Sequence, residues 1–261
     1  MGIFIKRAKH AAKIAYLCLR RLHAGSGQTA KNSPPVVKRR DIASLNWLIT
    51  GKSTVTLLEF NGIYMTDSKP EQVVIYLHGF LSSPQSVKAQ QTKAFVDEHY
   101  PDIVFYIPQL DNHPKPAAKM LDELVARHPN ADFGFIGSSM GGYFSSYLLE
   151  RYGGKAVLIN PAVQPYNLLA DYLGEHINPY TKKRFSLDES HTQDLTTFDT
   201  KTLASPQNYW VLLQTADETL DYRQAEQKYM GAKLTIEEGG DHSFQGYERF
   251  LADIFQFLLH D

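Results

Sequence analysis

The chain has 261 residues, 43% of them hydrophobic, with 15 Tyr and 14 Phe, ample apolar material for one sizeable core in a globular protein. Its formal net charge of −1 hides an asymmetry, because residues 1–40 carry ten Lys or Arg and no Asp or Glu, while the remainder carries 17 basic against 28 acidic residues. A nucleic-acid partner is not expected of so acidic a body, and any attraction to anionic surfaces is confined to the basic arm. The single Cys18 lies in that arm, which excludes an internal disulfide and a Cys-built zinc cage and fits a reducing, cytoplasmic setting.

In the arm, Lys6, Arg7, Lys9, Lys13, Arg20 and Arg21 interrupt every apolar stretch, so no uncharged run of about 18 residues exists and no transmembrane helix is expected there. Wound at about 100° per residue, Phe4, Ala8, Ala11, Ala15, Leu19 and Leu22 fall on one face and Lys6, Lys9, Lys13 and Arg20 on the other. Three roles fit this basic amphipathic helix over residues 1–23: peripheral contact with an anionic surface at the inner membrane face, an organellar transit peptide, or docking on the body. Ala24 to Pro35, rich in Gly, Ser and Pro, reads as a linker. The expected organisation is an extension over 1–40 and one domain over 41–261.

Within that domain, Asn61-Gly62 between two apolar runs reads as a β-hairpin turn. Short apolar runs then follow at Val73–Leu77, Ile103–Ile107, Phe133–Ile136, Ala156–Ile159, Tyr209–Leu213 and Leu234–Ile236, as expected of strands buried on both faces. Between and after them, Val87–His99, Ala117–Arg127, Gly141–Arg151, Leu220–Tyr229 and Tyr247–Leu259 show apolar residues at helical spacing. This alternation predicts an α/β fold, a mostly parallel sheet flanked by helices with its functional loops at the carboxyl ends of the strands. The long polar stretch at about 166–207 breaks the pattern and reads as a partly helical cap insertion over the site.

Gly137-Ser138-Ser139-Met140-Gly141 matches G-x-S-x-G and stands between an expected strand and an expected helix, the context of the nucleophile elbow of the α/β-hydrolase fold. The pattern alone would arise by chance in roughly one chain in ten; its placement makes it specific. The elbow needs small residues two before and two after the nucleophile, where side chains would collide with neighbouring backbone. Ser139 is thus the expected nucleophile, and Ser138 at the x position should point away from the cleft.

A serine hydroxyl needs a base, and the base needs a third group to hold its tautomer; in this fold the chain order is Ser, acid, His. His242 sits in the polar, Gly-rich loop Glu238–Phe244 between the last expected strand and the last helix. His99, His128 and His260 fall at helix ends, where capping or exposure explains them. Asp217 lies three residues past the strand WVLLQ and is the expected acid. Asp221 is a second candidate with a helix-capping explanation, and Glu218 is expected to face solvent. Backbone N–H groups of Phe80 and Met140 are the expected oxyanion donors. His78, Gly79 and Ser83 of the loop after the first strand are candidate pocket residues, with His78 organising that loop. The cap residues His176, Asp188, Glu189 and His191 match no metal-ligand spacing, so no metal site is expected.

The stretches YLHGFLSSPQSVKAQ, IGSSMGGYFSSYLLERYGGKAVLINPAVQPY, YLGEHINPYTKKRF, LLQTADETLDYRQAEQKY and EGGDHSF resemble the YqiA/YcfP-like esterases, a bacterial family of small α/β-hydrolases. The resemblance covers Val73 to about Leu259 and leaves residues 1 to about 70 outside it. It implies hydrolysis of carboxylic esters, best on short acyl chains, without a cofactor, and by motif it again assigns Ser139, Asp217 and His242. The expected function is a serine-dependent carboxylic ester hydrolase working through an acyl-enzyme on a small-molecule acyl ester. A thioesterase or lipid esterase would use the same three residues, and a non-catalytic binding module on a hydrolase scaffold is the reading from another class.

Overall fold

A computed structural model of the protein describes residues 70–260; the expected helix of residues 1–23, the linker, the 40/41 boundary and the hairpin at Asn61-Gly62 lie outside the described residues. Six parallel strands form one sheet in the order β2-β1-β3-β4-β7-β8, made of β1 (Gln72–Leu77), β2 (Val104–Tyr106), β3 (Asp132–Ser138), β4 (Lys155–Ile159), β7 (Tyr209–Gln214) and β8 (Lys233–Glu237). Helices connect them: α1 (Val87–His99), α2 (Pro114–Ala126), α3 (Met140–Tyr152), α6 (Tyr222–Lys228) and the final α7 (Leu251–Leu259). This is the α/β-hydrolase architecture that the alternation of the sequence predicts.

The apolar runs are continuous because both faces of the sheet are covered. Val73, Ile75, Leu77, Phe135, Leu158, Val211 and Leu213 point to one face and pack with Leu121 of α2, Leu148 of α3 and Ala225 of α6. The alternate residues Val74, Tyr76, Ile136, Val157, Ile159, Trp210 and Leu212 point to the other, against Val96 of α1 and Ile254 and Phe255 of α7. Removing each of the Val, Leu, Ile and Phe side chains among them from water contributes about 1.5–3 kcal/mol. Several sequence expectations shift at their edges, two of them notably. The strand expected over Ile103–Ile107 keeps three residues, and the helical pattern expected from Tyr247 begins as a 3-10 turn, Tyr247–Phe250, after Gly246 in the left-handed region (φ 72).

The chain runs from β1 outward to β2 and then crosses to β3 on the other side of β1. Loops leaving the carboxyl ends of β1 and β3 therefore diverge, opening the crevice that α/β sheets use for ligands.

Between β4 and β7 lie α4 (Pro165–Leu169), the antiparallel pair β5 (Gly174–Ile177) and β6 (Arg184–Leu187), and α5 (Glu189–Thr196), with single 3-10 turns on either side. The hairpin was not expected from a stretch read as partly helical. Its signal is the alternation in Arg184-Phe185-Ser186-Leu187, whose Phe185 and Leu187 are buried while Arg184 and Ser186 are exposed.

This insertion is tied to the body by an enclosed ion pair. Lys228 Nζ of α6 lies 3.3 Å from Asp199 Oδ1, with only 10% and 11% of the two side chains exposed. Tyr166 OH donates to the other carboxylate oxygen, and the ammonium lies 5.8 Å from the ring centroids of Tyr143 and Tyr229. Breaking a buried pair leaves a charge without compensation. Lys228→Met is therefore expected to lower stability by about 3–5 kcal/mol, and adding Asp199→Leu to recover part of the loss, both read from urea-unfolding midpoints.

Candidate active site

The turn from β3 into α3 is tightly constrained. Ser139 joins β3 to α3 at φ 55, ψ −119, a conformation that costs an L-residue of the order of 1–3 kcal/mol and persists only where its surroundings enforce it. The surroundings are visible. Ser139 N–H donates to the Ile159 carbonyl (3.0 Å), and the Ser139 carbonyl accepts from Ala162 N–H (3.1 Å), so the end of β4 grips the serine peptide on both sides. A Cβ on Gly137 would lie 2.3 Å from the Gly141 carbonyl oxygen, and one on Gly141 only 2.0 Å from that of Leu77. Helix α3 can begin against β1 and β3 only because those two atoms are missing. Ser138, the last residue of β3, is buried.

His242 Nε2 lies 3.1 Å from Ser139 Oγ, and its Nδ1 lies 3.0 and 2.9 Å from the two oxygens of Asp217. A carboxylate can only accept, so Nδ1 carries the proton and Nε2 presents its lone pair to the serine hydroxyl. The Asp217 side chain is 2% exposed, and its Oδ1 also accepts the N–H groups of Thr219 and Leu220 at 2.9 Å. Its direction is thus held by the turn it belongs to. Asp221 faces elsewhere, capping α6 through Arg223 N–H at 3.1 Å.

The loop bearing His242 is held from several strand ends. Gln214, last residue of β7, accepts the N–H groups of Asp241 and Gln245 on its side-chain oxygen and donates to the Gln245 carbonyl. Asn160, which follows β4, donates to the carbonyls of Asp241 (3.0 Å) and His242 (3.3 Å). Glu218 is exposed, as expected, and also accepts His242 N–H at 2.9 Å. Lys88 Nζ donates to the Ser243 carbonyl; burial pulls its pKa down to about 8, against the opposing pull of the Asp241 and Asp217 carboxylates.

On the other side of the serine, Gly79 is so close that a Cβ there would stand 3.3 Å from Ser139 Cβ and 3.8 Å from its Oγ. Met140 opens α3, where an N–H has no acceptor within its own helix. Neither Met140 N–H nor Phe80 N–H donates to backbone among the described residues. His78 is 3% exposed; its Nδ1–H donates to the Gly79 carbonyl (2.8 Å), and its Nε2 accepts Leu110 N–H (3.1 Å). Burial lowers its pKa, which suits a neutral ring with one donor and one acceptor nitrogen. It braces the loop rather than offering a second base.

A cavity of about 30 Å3 adjoins this loop, walled by His78, Phe80, Met140, Phe144, Leu169 and Leu195. Ser83 is not part of it. That hydroxyl is buried beneath the loop, accepting Gln85 N–H at 3.0 Å, and the neighbouring Ser82 lines the cavity instead. The offset is one residue, because the turn after Leu81, itself at φ 53, rotates successive side chains to opposite sides. The insertion contributes Leu169 and Leu195, and the Phe80 ring packs edge-on against Tyr172 and Phe185. Asp188 and His191, noted as polar neighbours, form a reciprocal capping box at the start of α5. Among the described residues no group of three or more His, Cys, Asp or Glu is gathered as ligands for a metal, and no helix is long and apolar enough to cross a membrane.

A parallel sheet with an elbow serine at its switch point, and an acid and a histidine supplied from later strand ends, defines an α/β hydrolase. The chain belongs to the uncharacterised protein family UPF0227, whose model matches residues 73–259 and which is the YqiA/YcfP family of esterase-like proteins. Solved structures resemble it in fold. A protein of Agrobacterium vitis S4 superimposes with a TM-score of 0.60 at 16% identity, over 72% of this chain and 88% of that one. Est1E from Butyrivibrio proteoclasticus gives 0.55 at 12% identity over 74% and 89%. Alpha/beta hydrolase domain-containing protein 10 from mouse gives 0.52 at 13% identity over 77% and 97%.

Because the clash at Gly141 is with backbone, relief requires α3 to move. Gly141→Ala is expected to cost about 1–3 kcal/mol of stability, seen as a lower urea midpoint, whereas Ala added at a surface position of α3 should leave the midpoint unchanged.

Proposed function

We propose that the protein is a serine-dependent carboxylic ester hydrolase that acts on short-chain acyl esters through an acyl-enzyme. The hydrogen-bond chain Asp217–His242–Ser139 carries this assignment. Ser139 Oγ attacks the acyl carbonyl as His242 Nε2 takes its proton, and Asp217 stabilises the imidazolium while remaining ionised. The developing oxyanion is received by the N–H groups of Phe80 and Met140, preorganised donors of the kind whose individual loss costs about a hundredfold or more. His242 then delivers its proton to the leaving alcohol. A water enters, gives a proton back to Nε2 and attacks the acyl carbon; the acid departs and Ser139 recovers its hydrogen. Family membership among esterase-like proteins supports the reading.

Ser139→Ala removes the attacking atom and leaves the histidine and its acid in place. Hydrolysis of p-nitrophenyl butyrate is expected to fall by about a thousandfold or more, and a fluorophosphonate probe to label the wild-type chain at Ser139 but not the variant. Retention of most of the rate by the pure variant would overturn the assignment.

The preference for short acyl groups rests on the cavity beside the oxyanion loop. At about 30 Å3 it has room for roughly two waters, or a tail of about two or three carbons. Phe144 and Leu195 close its apolar wall. For a series of p-nitrophenyl esters, kcat/KM is expected to be highest at acetate to butyrate and to fall steadily towards palmitate. Phe144→Ala should move the optimum to longer chains.

A further inference from the structure

The nucleophile and the histidine lie 103 residues apart in the chain, so their 3.1 Å contact depends on a third element that touches both. β4 ends in that place. Its last residue, Ile159, accepts Ser139 N–H, and Ala162 just beyond donates to the Ser139 carbonyl. Between them stands Asn160, in the left-handed region at φ 40 and only 2% exposed. Its N–H extends the ladder to Leu212 (2.9 Å), its side-chain oxygen accepts Gln214 N–H (3.0 Å), and its amide group donates to the Asp241 and His242 carbonyls (3.0 and 3.3 Å). Carbonyls only accept, so this orientation of the amide is the one that satisfies all three contacts.

We propose that Asn160 is a positioning residue of this hydrolase, setting the distance between His242 and Ser139 by fastening the histidine loop to the strand end that holds the serine. The proposal rests on the reading of Ser139 as nucleophile. Three features single Asn160 out from ordinary buried amides. It bonds the peptide of His242 itself, it follows directly the residue that binds the Ser139 peptide, and its backbone conformation is one that Asn tolerates better than most residues. No wall of the acyl cavity includes it, so its effect should fall on the chemical step and not on substrate binding.

Aspartate at this position keeps the shape and the acceptor for Gln214 N–H but turns a donor into a second acceptor facing two carbonyls. Repulsion displaces the histidine loop, and a displacement of about 1 Å at reacting groups costs on the order of a hundredfold. For Asn160→Asp, kcat on p-nitrophenyl butyrate is expected to fall about a hundredfold with KM within about twofold of the wild type, and fluorophosphonate labelling of Ser139 to slow in parallel. Asn160→Ser, which keeps one donor, should recover part of the loss. The proposal is overturned if Asn160→Asp folds and retains kcat within about threefold, or if kcat and KM change together. Should the aspartate variant fail to fold, Asn160→Gly, which accepts the backbone conformation and removes the side-chain donor and acceptor, decides by the same criterion. The wild-type and Ser139→Ala proteins run alongside separate the two questions. If wild type is inactive, or Ser139→Ala is fully active, the reading of Ser139 fails; if both behave as expected and Asn160→Asp matches wild type, only the role of Asn160 fails.

Discussion

Helix α3 begins with its first turn pressed against the ends of β1 and β3, and the contact leaves no space for a Cβ at Gly137 or Gly141. From that closeness the geometry of the elbow follows. The serine between β3 and α3 cannot reach the helix through an ordinary extended or helical residue, so it takes up φ 55, ψ −119, and the cost is borne by the sheet and helix packed around it. Its own N–H and carbonyl are both occupied by residues of the β4 end, and its hydroxyl meets His242 Nε2. The N–H of Met140 is left without an intrahelical acceptor for the same reason that any first-turn N–H is. Gly79 completes the arrangement by bringing the loop after β1 to within contact of the serine side chain.

The histidine loop has a different physical basis. It is polar, Gly-rich and partly exposed, with Phe244 its one fully buried side chain. It is held by hydrogen bonds from groups anchored in the sheet: Gln214 at the end of β7 and Asn160 after β4, both buried. Neutral amides suit this task, since each supplies donor and acceptor without the desolvation cost of an ion. Charged groups act at the loop's edge instead, Glu218 on the N–H of His242 and Lys88 on the carbonyl of Ser243. The side chains that meet at the serine therefore come from the ends of β3, β7 and β8, and a rigid sheet sets their distances more closely than loops could.

Much of this was legible in the chain. Runs such as VVIYL and WVLLQ are strands because a parallel sheet covered on both faces tolerates no alternation, and GSSMG between strand and helix marks the elbow through a steric need for glycine. Asp217 and Asp221 could be ranked from the sequence by position, and the geometry separates them: one carboxylate meets His242 Nδ1, the other caps α6. What the sequence misplaced was of a finer grain. Ser83 was expected in the pocket where Ser82 lies, because side-chain direction in a tight turn changes with every residue. Glu218 is solvated as expected, but its contact with a backbone N–H 24 residues away has no local signal. The β5–β6 hairpin passed unnoticed in a polar stretch whose alternation spans only four residues.

Asn160 and Gln214 escaped the sequence reading altogether, although an Asn-Pro pair after an apolar run hints at a strand end under local constraint. By itself the sequence determined the order of the six sheet strands and of the helices that connect them, the strand-to-helix turn at Ser139 and the two later strand ends that carry Asp217 and His242, since these depend on periodicity, on glycine sterics and on neighbours a few residues apart. The tertiary structure alone decided which groups hold the histidine, which serine faces the cavity and how large that cavity is. Those depend on contacts between segments as much as 155 residues apart, whose distances are set by the packing of the whole sheet and leave no local trace.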